Sequence, residues 1–236
     1  MKIDAGRFII DRRAPAFAGA PLWSRHVHPD HRQQELLPWS LRPWLLLKML
    51  DEPFKEQQID LYLSDSKARI LAANPAGKVP VLVDDKLRIW DSLAICEYLA
   101  ECFPAAGLWP TDSALRAVAR SIVAEVHSGF AALRENLPMD TTLRQVDYES
   151  SPAVESDIAR VIALWEEQRE RHVADGEFLF GGFTIADACF APICTCFQTY
   201  NVRLPERSQA YVRHILSLPA MQEWYSAAAA ERKRPF

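Results

Sequence analysis

The chain has 236 residues, 49% of them hydrophobic, and a formal net charge of −4. That length suits one large domain or two small ones, with enough apolar material for a real core. The mild acidity argues against a nucleic-acid partner, and no apolar run approaches the roughly 20 residues of a membrane span.

The first 38 residues hold Pro15, Pro21, Pro29 and Pro38, three histidines and little periodicity. Only 7–11 (RFIID) reads as a strand there, and 12–38 reads mostly as loop. No apolar h-region precedes it, so no secretory signal is expected. Residues 39–50 read as a helix with Pro43 near its start, where a missing N–H costs little. Residues 54–61 alternate as a strand, and 64–73 form a short helix or turn. Residues 79–83 read as a buried strand paired with 86–90, with Asp84-Asp85 as the tight turn between them. Residues 92–103 form a helix with Leu93, Ile95, Cys96 and Leu99 as its apolar positions.

Residues 104–110 (PAAGLWP) have the composition of a linker. Beyond them no strand pattern remains. Residues 114–137 read as one long helix, and 154–173 as another with Ile158, Val161, Ile162 and Trp165 at helical spacing. Residues 185–200 form a third, very apolar helix, ended by Asn201, which tolerates the left-handed conformation. Two shorter helices finish the chain. The division is an atypical segment 1–38, a mixed α/β domain 39–103, the linker, and an all-α domain 111–236.

Cys96, Cys102, Cys189, Cys194 and Cys196 all fall in helical stretches. Their odd count without CxxC spacing fits a reducing cytoplasm and small buried hydrophobes better than a disulfide framework. His26, His28 and His31 with Asp30 have loose metal-ligand spacing. Nothing else in that segment closes a site, so no metal is expected.

The densest chemical signal is 74–82, NPAGKVPVL, followed by Asp91-Ser92. Pro80 opens an apolar strand although proline cannot donate to a ladder. A cis peptide accounts for it, and would turn the Val79 N–H and C=O toward an extended peptide ligand. Asp91-Ser92 opens the next helix, where a hydroxyl and first-turn N–H groups suit a carboxylate and Asp91 suits an ammonium. An α-amino acid carries that pair of charges. The bland alternative is an ordinary strand start and helix cap. A second signal, FTIAD, puts Thr184 and Asp187 at capping-box spacing before the apolar helix, a folding device.

The string VP, hairpin, acid-Ser resembles the glutathione site of the glutathione transferase superfamily. WSLRPWLLL from Trp39 is similar to the first helix of a bacterial branch of that family. So are HSGFAALR from His127, LPM from Leu137 and LPAMQEW from Leu218, and the resemblance runs from Trp39 to about Glu231. It implies a thioredoxin-like domain followed by a helical bundle. It also implies glutathione as co-substrate, a cytoplasmic homodimer and transfer of the thiol to a small electrophile. Val79 and Pro80 would take the cysteinyl backbone, Asp91 and Ser92 the γ-glutamyl end, and Lys78 the glycyl carboxylate. His127, Phe130 and Arg134 would border the electrophile; a solvated helix face is the plain alternative. In that branch a serine pair precedes the tryptophan, where this chain has Leu37 and Pro38. Ser40 is then the nearby hydroxyl for the sulfur. A free thiol, titrating near 8.5, needs about 2.7 kcal/mol of preference for its anion to fall by two units. The replacement also leaves open a non-catalytic member that binds glutathione or a protein partner.

Overall fold

The computed structural model describes residues 7–11, 37–59, 64–145 and 147–232. Strands β1 (Arg7–Asp11), β2 (Lys55–Gln58), β3 (Val81–Asp84) and β4 (Leu87–Trp90) form one sheet in the order β2-β1-β3-β4. β3 and β4 make the expected antiparallel hairpin, Val81 opposite Trp90. The turn falls on Asp85 and Lys86 rather than on Asp84-Asp85, because Asp84 pairs with Leu87 inside the ladder. Asp85 takes the positive φ of 56° that an aspartate tolerates.

RFIID is one of the two interior strands, β3 being the other. It pairs parallel to β3, Ile9 opposite Val81, and antiparallel to β2, Asp11 opposite Lys55, with a bulge between Arg7 and Ile9. Its last residue therefore lies at the end of the sheet away from the start of β3, and residues 12–36 join that end to the first helix.

Helices α1 (Leu37–Met49) and α3 (Ser92–Cys102) pack on each other and on one face of the sheet. The other face carries α2 (Ser66–Ala73), whose Ile70 and Ala73 share a small core with Ile59, Val79 and Val81. Leu82, one residue along β3, belongs instead to the main core, as strand alternation requires. α1 begins earlier than the sequence suggests, so Pro43 is interior, not near the start. The helix continues through it, with the Trp39 carbonyl deprived of its usual donor.

The linker is less loose than its composition implies. After a short 3-10 turn at Pro104–Ala106, Leu108 and Trp109 are buried, the Leu108 carbonyl accepts from Ile185 N–H, and Trp109 Nε1 donates to Glu97. The helical part follows as α4 (Ser113–Ser128), α5 (Ala131–Asn136), α6 (Pro152–His172), α7 (Ile185–Thr199), α8 (Glu206–Ser217) and α9 (Pro219–Arg232). The expected single helix over 114–137 is two. Gly129 ends α4, and a Cβ there would meet the Glu125 carbonyl oxygen at 2.7 Å. Phe130 follows at φ 56°, and Arg134 Nη1 returns to the Val126 and His127 carbonyls at the end of α4.

α7 is buried on nearly every side, against α1, α4 and α8. The capping box at its start is present, and the Asp187 carboxylate accepts from Thr184 N–H, Thr184 Oγ1, Leu179 N–H and Tyr211 Oη. The described cysteines are all free; Cys96, Cys189, Cys194 and Cys196 are buried and Cys102 is partly so. His26, His28, Asp30 and His31 lie outside the described residues.

Candidate active site

The Val79–Pro80 peptide is cis, as the sequence suggests. The ladder starts only at Val81, so Val79 stands just outside it. Among the described residues, no turn or loop backbone bond uses the Val79 N–H or C=O. The turn before it is organised by Asn74, whose buried side chain donates to the Lys78 carbonyl at 2.8 Å and accepts from Ala76 N–H at 3.0 Å. The sequence reading did not assign Asn74 a role, although an asparagine opening an NP turn is the cue for such self-bonding. Lys78 is exposed beside Val79.

Ten residues beyond β3's start, Asp91 caps α3 at φ 74°. Its Oδ1 accepts from Leu93 N–H at 2.8 Å and Ala94 N–H at 3.4 Å, and Oδ2 lies 3.3 Å from His127 Nε2. The His127 bond, aided by those two N–H groups, holds the Asp91 carboxyl down at about 2 against the opposing effect of partial burial. The expected anion site at this helix start is thus narrower than a free first turn. Leu93 and Ala94 serve the Asp91 side chain, and Ile95 N–H serves the Asp91 carbonyl. Ser92 is what remains for a ligand. It is 2% exposed, and its Oγ is buried without a hydrogen-bond partner.

Across the domain boundary, His127 in the last turn of α4 meets three residues of the first domain. Besides Asp91, its Nδ1 lies 3.4 Å from Arg42 Nη1, and its ring meets Trp39 edge-on at 5.0 Å. Arg42 is 2% exposed, its Cζ stands 4.1 Å from the Trp39 ring centre, and its Nε has no partner. Burial pulls its guanidinium down from the usual arginine range, opposed by the paired thiols of Cys96 and Cys189 beside it. Arg134 reaches the same indole, at 5.3 Å. A cleft of about 180 Å³ opens here, lined by Trp39, Ala131, Arg134 and Glu135.

Of the three residues expected to border an electrophile, Arg134 therefore lines the cleft. Phe130 is buried in the core, and His127 turns toward Asp91 and Arg42. Ser40 has no exposed surface, and its Oγ has no partner. Trp39 and Arg42 were missed as site residues, although both stand in the WSLRPW string. Among the described residues no cluster of His, Cys, Asp and Glu has the form of a metal site, and no helix is long and apolar enough to cross a membrane.

Residues 38–102 match the family model described as the glutathione S-transferase N-terminal domain. The chain is 33% identical over 172 residues to a probable maleylacetoacetate isomerase of Caenorhabditis elegans, covering 70% of this chain and 76% of that one. It is 32% identical over 191 residues to the maleylacetoacetate isomerase of Rattus norvegicus, covering 78% and 85%. A glutathione transferase homologue from Burkholderia, solved with bound glutathione, superposes with a TM-score of 0.63 at 22% identity, covering 84% of this chain and 95% of that one. This chain belongs to the glutathione S-transferase superfamily.

Proposed function

We propose that the protein is a glutathione-dependent enzyme acting on a small, carboxylate-bearing, conjugated electrophile, with isomerisation as its net reaction. The observation that carries the glutathione half is the buried, unpartnered Ser92 hydroxyl next to the ionised Asp91, a pairing that suits the two charges of an α-amino acid. Asp91 would hold the ammonium and Ser92 the carboxylate of the γ-glutamyl end. Val79, before the cis Pro80, would pair with the cysteinyl backbone, and Lys78 would meet the glycyl carboxylate. Glutathione, when bound, supplies a sulfur nucleophile for a conjugated double bond.

Isomerisation is favoured over conjugation by the names of the relatives. Arg134 lines the cleft beside Glu135, and its guanidinium suits a carboxylate on the substrate. Ser40 would donate to the sulfur; no other unpartnered hydroxyl of α1 is available among the described residues. The homodimer expected of the family belongs to the same reading.

A second reading is a member that binds glutathione without activating it. The complete burial of Ser40 and the Leu37-Pro38 pair favour it. Incubation with glutathione and maleylacetoacetate separates the two. The isomerase gives the trans product by absorbance and leaves the glutathione titre constant, whereas conjugation depletes it. Calorimetric binding with neither change is the non-catalytic member, and no binding at millimolar glutathione removes both readings.

A further inference from the structure

We propose that His127 is a positioning residue, a latch from the helical domain that fixes the orientation of Asp91 for the amino end of a bound ligand. The inference rests on the glutathione reading for what the ligand is, but the latch itself stands on geometry. Asp91 is a helix cap with a left-handed backbone, and its side chain is about half exposed at 49%. Two N–H groups of its own helix hold Oδ1, while Oδ2 has the imidazole of α4. Without that imidazole, Oδ2 would project into solvent on one side of a strained turn.

The protonation of His127 follows from its two neighbours. Arginine offers only donors, so Nδ1, facing Arg42 Nη1, accepts. The ionised Asp91 offers only acceptors, so Nε2 carries the proton and donates to Oδ2. Arg42 is set in turn by burial and by the Trp39 ring against it. Arg134 ties down the His127 backbone by donating to its carbonyl at 3.2 Å. The titratable and charged groups facing Asp91 are thus the imidazole of His127 from α4 and, more distantly, the Arg42 guanidinium from α1. The chain of contacts runs Trp39, Arg42, His127, Asp91, so the indole that lines the cleft and the carboxylate of the amino-end anchor are fixed by one imidazole.

The test uses the full chain, with His127→Ala, His127→Gln and Asp91→Asn. In wild type, ¹⁵N shifts of the His127 ring should show Nδ1 bare and Nε2 protonated. The ¹³C shift of the Asp91 carboxyl, followed without glutathione down to about pH 3, should show no inflection in wild type. In His127→Ala an inflection should appear, moved toward the ordinary 3.8. Glutathione affinity should fall about tenfold in His127→Ala and be largely restored in His127→Gln, whereas in an Asp91→Asn background His127→Ala should cost far less than tenfold. The loss should be in KM for glutathione, with kcat kept. A protonated Nδ1 in wild type, or an Asp91 titration indifferent to His127→Ala, overturns the proposal. If wild type binds no glutathione, the functional reading fails, and the Asp91 titration and the ring shifts still uphold or overturn the latch.

Discussion

Ser92 carries a cost to the fold that a ligand at its hydroxyl would return. Its hydroxyl is removed from water and bonds to nothing, and an orphaned buried polar group costs about 1–3 kcal/mol. Ser92→Ala should therefore leave stability unchanged or raise it slightly, while glutathione binding weakens by about 1.4 kcal/mol, tenfold. Urea midpoints and calorimetric titration of the same samples give both numbers. A loss of stability with affinity intact would make Ser92 a packing residue. At this scale the sequence was legible where chemistry is local. The acid-Ser pair opens α3 as its sequence suggests, and Pro80 is cis as expected, although it stands just before the ladder rather than within the strand. Arg42 and Trp39 were not legible as site residues, because their meaning comes from His127, 85 residues away from Arg42.

The helices show the same limit at the next scale. FTIAD announces its capping box because Thr184 and Asp187 are three residues apart, and the structure has that box. The sequence does not announce that Leu179 N–H and Tyr211 Oη also converge on the carboxylate. Burial pushes the Asp187 carboxyl upward, and four donors counter it. Removing the carboxylate strands all four at once. Asp187→Ala should cost about 3–5 kcal/mol, against about 1–2 kcal/mol for Thr184→Ala, which deletes one donor and a cap. Urea unfolding followed by far-UV circular dichroism measures both. Equal losses in the two variants would mean that the Leu179 and Tyr211 bonds add nothing. The break between α4 and α5 was hidden for a related reason. Apolar periodicity runs through 114–137, and Gly129 is the one sign that the chain turns there so that Arg134 can reach back.

Over the whole molecule, the order of elements was legible from periodicity and turn residues apart from the α4–α5 break, and the direction of β1 was not. A period of two gives a strand but not the way it points, and RFIID lies parallel to β3. The division into two domains was read from PAAGLWP, yet the burial of Leu108 and Trp109 makes that linker part of the packing between them. α1 carries the coupling furthest. Leu41, Trp44, Leu45, Leu46 and Leu47 have no exposed surface, so the helix is core on every side rather than amphipathic. Trp44 Nε1 donates to Glu56 of β2 at 2.8 Å, and its ring meets Trp224 of α9 at 5.0 Å. One side chain thus touches the edge of the sheet and the last helix. Trp44→Ala should cost about 3–5 kcal/mol, and Trp44→Phe, which keeps an aromatic ring but loses the Glu56 bond, should cost less. Because the residue belongs to both domains, calorimetric melting should stay a single transition moved to lower temperature. Two separated transitions, with the helical domain melting where it did before, would mean that the domains fold independently and that α1 belongs to the first alone.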